Sequence, residues 1–132
     1  MQKLVLALAL TASAGLAHAD EPYKITVDAP SVKKAQRGVV KIVVKPGAGF
    51  HVNKEYPAGL KVKAPDGVKL EKDALKSTDA AALSEQALEF DVAYTSTDAG
   101  KKSFTGDLKF AVCSASSCDP KRESISFTVE VK

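Results

Sequence analysis

The sequence predicts an all-β protein, an immunoglobulin-like antiparallel β-sandwich. Three observations predict it. Apolar residues alternate with polar ones at a period of two in several segments, turn-forming residues recur about every 8–12 residues, and the chain is long enough for one domain. With 132 residues, one core is the expectation.

The alternation is clearest at the end of the chain. Ile125, Phe127, Val129 and Val131 are separated by Ser126, Thr128 and Glu130. Leu88, Phe90, Val92 and Tyr94 alternate with Glu89, Asp91 and Ala93. Phe104, Leu108, Phe110 and Val112 share one parity, and Thr105, Asp107 and Lys109 the other. Such segments are strands with one face on a core and one in water. Ile25 to Val27 and Val39 to Val44 add two strands, the second ended by Lys45-Pro46-Gly47, and another runs through Phe50 and Val52. Residues 60–64 and 68–71 flank Pro65-Asp66-Gly67, which reads as a hairpin. Only the stretch from Asp73 to Gln86 lacks alternation; Ala80 to Leu83 reads as a helical turn capped by Thr78 or Asp79, or as part of a long loop.

The first residues form a secretory signal. Lys3 precedes the apolar run Leu4 to Leu10, and Ala17-His18-Ala19 offers small residues for cleavage before Asp20. The run is far shorter than the ~20 residues of a spanning helix. The expectation is a cleaved signal over 1–19, a domain over 20–132, and a periplasmic, exported protein with no membrane span. Of 19 basic and 16 acidic residues, the signal removes only Lys3, leaving 18 against 16 and a net charge of +2. The lysines are scattered along the strands, which argues against nucleic acid as a partner and fits a solvated face protected from edge aggregation.

The chain has two cysteines, Cys113 and Cys118, and in an oxidising compartment an even pair is expected to join. A strand leads into Cys113, four small residues turn, and a strand leads out after Pro120. Facing positions on antiparallel strands suit a disulfide. Cys113 has the parity of Asp107 and Lys109, so it points away from the core; an accessible cysteine is the reactive kind. The bond closes about six residues and contributes ~2 kcal/mol by loop entropy, against ~4 for a loop of 50 or more. Lys121 and Arg122 favour a thiolate and Asp119 opposes it. The spacing alone serves a structural staple or a redox pair.

The segment from Phe104 to Val131, a strand, a cysteine pair on a tight hairpin, a proline, basic residues and a final alternating strand, resembles the amino-terminal periplasmic domain of the thiol:disulfide interchange protein DsbD. Phe50-His51-Val52-Asn53, after Gly47 and Gly49, resembles a Gly-aromatic-His stretch of that family. The resemblance spans about Tyr23 to Lys132. It implies an immunoglobulin-like fold and a thiol–disulfide exchange module. In it Cys118 forms the mixed disulfide and Cys113 resolves it. The partners it implies are periplasmic thioredoxin-like or membrane thiol-transport proteins acting in trans. Two features depart from the family: four residues separate the cysteines, where the best-known member has five, and Leu75 to Ser84, where the family places a cap loop with aromatics, has none. A non-catalytic secreted binding domain with a structural disulfide is the alternative.

His51 is the only histidine after the signal and a candidate auxiliary group at the pair. Cys113, Cys118 and His51 fall short of the four ligands of a closed zinc site, so no metal is expected. Asp79 and Glu85 read as solvated loop charges or as proton carriers near the pair. Tyr23, Tyr56 and Tyr94 form no ladder. No phosphate loop or serine-nucleophile motif occurs, so no cofactor is expected.

Overall fold

The computed structural model describes residues 21–132. The signal over 1–19 lies outside the described residues. The chain folds as an antiparallel β-sandwich of two five-stranded sheets. In the first, β1 (Tyr23–Asp28) pairs with β2 (Arg37–Pro46), β2 with β8 (Leu88–Ser96), and β8 with β5 (Val68–Leu70). The short β7 (Ala82–Leu83) takes the other end of the same β8 edge. In the second, β10 (Cys118–Val131) pairs with β9 (Gly100–Cys113), β9 with β4 (Gly59–Lys63), and β4 with β6 (Ala74–Lys76). There β3 (His51–Val52) takes the end of the β9 edge that β4 leaves free.

Alternation dictates which faces meet. Val40, Ile42 and Val44 from β2 and Leu88, Phe90, Val92 and Tyr94 from β8 are buried against Leu60, Phe104, Leu108, Phe110 and Val112 of the other sheet. Aromatic rings join the sheets. Tyr94 meets Phe104 of the other sheet edge-on at 5.3 Å, and within the second sheet Phe104 stacks on Phe127 at 5.0 Å. Tyr23 meets Phe110 edge-on at 4.9 Å, and its hydroxyl donates to Glu123 on β10. These contacts close the side of the sandwich where β1 lies over β10.

One expected hairpin is not formed. Residues 60–63 join the second sheet through β9, while 68–70 join the first through β8. The Pro65-Asp66-Gly67 turn, with Gly67 at a φ of 82°, therefore carries the chain from one sheet to the other. A tight turn has the same composition whether its flanking strands pair or part. The stretch from Asp73 to Gln86 is neither loop nor helix throughout. It holds β6, a single 3₁₀ turn at Ser77–Asp79, and β7. The expected turn over Ala80 to Leu83 is displaced to Ser77–Asp79, because Asp79 accepts the Lys76 backbone N–H and pairs with Lys72 there.

Candidate functional site

The longest hairpin of the fold ends in the cysteine pair. β9 and β10 pair without a break from Val131 opposite Gly100 to Cys118 opposite Cys113. At the tip, the Ser114 N–H donates to the Ser117 carbonyl at 2.7 Å, and Ser114 Oγ accepts from the Ser116 and Ser117 backbones at 3.3 and 3.2 Å. A serine at the first position thus supplies the turn with partners for donors that would otherwise face solvent. Ser114 and Ser117 form a hydrogen-bonded pair, so the next pair inward, Cys113 and Cys118, is a non-hydrogen-bonded one, where side chains stand closest. The two Cα atoms are 3.9 Å apart and the sulfurs are bonded. Two residues further, Pro120 also occupies a non-hydrogen-bonded position, opposite Ala111 on an edge strand. Its missing N–H would have pointed to solvent, which is where a strand tolerates proline.

Parity places Cys113 on the outer face of its sheet, as the sequence predicts, since its neighbour Val112 is in the core. The expected accessibility does not follow for both cysteines. Cys113 is 3% exposed, whereas Cys118 is exposed. Cys113 is flanked on both sides, by β10 and by β3, and Ala111 on the same face is 2% exposed. Cys118 lies at the start of the edge strand β10, where no strand among the described residues pairs with it on the other side.

His51 is the cross-strand partner of Cys113 on the other side. The Asn53 N–H donates to the Ala111 carbonyl at 2.9 Å, which makes 53 and 111 a hydrogen-bonded pair and, two residues on, 51 and 113 another. Such partners have Cβ atoms roughly 4.5–5.5 Å apart with side chains on one face. Cys118, Cys113 and His51 therefore form one row across three strands. His51 is exposed. The strand that carries it is held from its other edge by the Val52 N–H, which donates to the Glu85 carbonyl at 2.9 Å.

Of the other residues singled out, Glu85 enters this corner through its main chain. Asp79 is occupied elsewhere, in the ion pair with Lys72 at 2.6 Å, whose hydrogen bond holds its carboxyl below the ordinary aspartate range. Lys121 and Asp119 have the opposite parity to Cys118 on β10, and Arg122 has the same. Tyr94 is fully buried in the core. Among the described residues, no group of three or more His, Cys, Asp or Glu side chains is placed to hold a metal. No helix there is long and apolar enough to cross a membrane.

Of the two bonded cysteines, Cys118 is the one open to solvent and Cys113 the one closed off.

No family model and no curated protein matches the chain. Among solved structures, it is similar to AggA, the major subunit of aggregative adherence fimbriae type I from Escherichia coli. That likeness has 8% identity and a TM-score of 0.41 over 87% of this chain and 99% of that one. WR4, a C. elegans MSP family member, aligns with 11% identity and a TM-score of 0.42 over 82% and 97%. A non-cellulosomal cohesin from Archaeoglobus fulgidus aligns with 10% identity and a TM-score of 0.42 over 85% and 92%. At these scores the likenesses decide nothing about function. What the chain's own geometry establishes is a disulfide-bonded, immunoglobulin-like β-sandwich.

Proposed function

We propose that the protein is an exported thiol–disulfide exchange module of the kind its resemblance to the DsbD amino-terminal domain implies, acting through Cys113 and Cys118 on partner thiol proteins in trans. The observation that carries this reading is the asymmetry of the pair: Cys118 is exposed on an edge strand and Cys113 is 3% exposed. A purely structural bond has no need of one open sulfur-bearing residue, whereas exchange requires an open approach to one of the two.

The step runs as follows. A partner thiolate attacks Sγ of Cys118, forming a partner–Cys118 disulfide and breaking Cys113–Cys118. Cys113 leaves as a thiolate and takes up a proton, with His51, its cross-strand neighbour, as the candidate auxiliary group. The partner's second thiolate then attacks its own sulfur in the mixed disulfide and releases Cys118 as a thiolate, which is protonated in turn. Two electrons and two protons have passed to the module, and the partner has become a disulfide. The reverse sequence reduces a partner disulfide. Periplasmic location and removal of residues 1–19 belong to the same reading, because a disulfide persists in an oxidising compartment.

The test is the reduction potential of Cys113–Cys118, read by equilibrating the protein with glutathione buffers and counting trapped thiols. A value above about −250 mV places the bond among exchangeable ones. A value below about −300 mV marks a bond that the glutathione pool does not open, and the alternative, a secreted binding domain with a structural disulfide, then replaces the relay.

A further inference from the structure

On the outer face of the second sheet, four residues along β9 and β10 from the cysteines, a second row crosses four strands. Arg122 pairs with Lys109, Lys109 with Gly59, and Gly59 with Lys76. An even spacing keeps this row on the same face as Cys113 and Cys118, and at ~3.3 Å per residue it lies about 13 Å away. Gly59 contributes no side chain, so the row has a gap in its middle. A cavity of about 630 Å³ opens there, with the buried Leu60 and Leu75 among its lining residues.

The rim of this cavity is cationic. Lys54, Lys61, Lys76, Lys109 and Arg122 line it against two carboxylates, Glu55 and Asp107. Among the described residues, ion pairs join Arg37 to Glu71 and Lys72 to Asp79, so neither uses a cation of the rim. The chain as a whole is nearly balanced in charge. An excess of three positive charges around one concave surface is therefore a local feature.

We propose that this cleft is a docking site for an acidic polypeptide segment of the protein that exchanges thiols at Cys118. The inference rests on the exchange reading above and adds the chemistry by which a partner is chosen. Two arguments identify a polypeptide. A protein that reaches Cys118 covers about 800 Å² of this surface, a patch roughly 16 Å in radius, and a row 13 Å away falls inside it. Cations at such a rim accelerate encounter with an acidic partner and repel a basic one.

The experiment uses fluorescence anisotropy with the whole protein and three dye-labelled probes. These are a cysteine-free decapeptide rich in Glu and Asp, its Gln/Asn counterpart, and a single-stranded oligonucleotide with the net charge of the acidic peptide. The acidic peptide is expected to bind at least about tenfold tighter than the neutral one at low salt, with the difference collapsing at about 0.5 M salt. K109E combined with R122E is expected to abolish the preference, and K41E, on the other sheet, to leave it intact. Equal binding of acidic and neutral peptides to the wild-type protein overturns the proposal, even where the double variant does not fold. Tighter binding of the oligonucleotide than of the acidic peptide overturns the assignment to a polypeptide. The two readings fail separately. A bond that glutathione cannot open removes the exchange step and with it the stated identity of the partner, whereas loss of peptide discrimination removes the docking site and leaves the reduction potential untouched.

Discussion

Gly38 is the cross-strand partner of Tyr94, and the tyrosine ring covers its bare α-carbon: a Cβ at this position would lie 2.6 Å from the ring and its hydroxyl. The ring is fully buried and held from the opposite sheet by Phe104, so it has no room to withdraw. Gly38→Ala is expected to cost about 1–3 kcal/mol by overpacking, read as a shift in denaturation midpoint. An unchanged midpoint would show that the ring can move.

The same ring carries a hydroxyl that is buried with no hydrogen-bond partner among the described residues. Leaving such a group unpaired costs about 1–3 kcal/mol. Tyr94→Phe is therefore expected to be neutral or stabilising in urea denaturation. A loss above about 1 kcal/mol would mean that the hydroxyl has a partner in solution, an ordered water being the obvious one.

Alkaline pH probes the contact between the two sheets at Tyr23. Partial burial first, then the hydrogen bond and charge of Glu123, push its phenol from 10.0 to about 12. A raised pKa means that the folded state holds the proton more tightly. The stability from this group is complete below pH 10 and is lost as pH rises from 10 to 12. Burial raises Tyr94 as well, which adds in the same direction. The fall in stability over that interval is expected to be shallower in Tyr23→Phe, by thermal melts across the range; identical slopes would exclude Tyr23 as a source.

The asymmetry of the cysteines has a direct chemical readout. In Cys113→Ser, the remaining Cys118 is expected to react with iodoacetamide at least about tenfold faster than Cys113 does in Cys118→Ser, because reactivity follows access to the thiolate. Equal rates would remove the observation on which the exchange reading stands.

Breaking the bond is expected to leave the sandwich folded. The loop it closes is small, so its entropic contribution is about 2 kcal/mol. For a domain of this size, that corresponds to a melting temperature lowered by about 5–10 °C on reduction. Unfolding of the reduced protein at room temperature would show that the bond is a structural staple.

The sequence made the longer strands legible where one face was wet, and the short β6 and β7 were too brief to show a period. Ile125 to Val131 alternates without exception and Leu88 to Tyr94 with only Ala93 out of pattern, and both are strands with the predicted faces inward. The parity of Cys113 was legible for the same reason. What alternation does not encode is which strand lies beside which. Leu60 and Val68 are close in sequence and lie in different sheets, while His51 and Cys113 are distant and face each other. The burial of Cys113 depends on that remote pairing: β3 covers the strand edge that the local pattern left open. The cationic row is hidden likewise. Lys76, Lys109 and Arg122 look scattered in the chain and are gathered only by the register of four strands around Gly59.

The small size of the loop closed by Cys113 and Cys118 ties the stability of the fold to the poise of the couple, because the two are opposite edges of one thermodynamic square. Whatever the bond adds to folding, folding adds to the bond. At about 2 kcal/mol, the native state shifts the couple only about 45 mV towards the disulfide relative to the unfolded chain. The scaffold is thus nearly indifferent to the oxidation state it carries. The direction in which such a couple runs is then set by the reduction potential of its partner and the partner's ratio of oxidised to reduced forms.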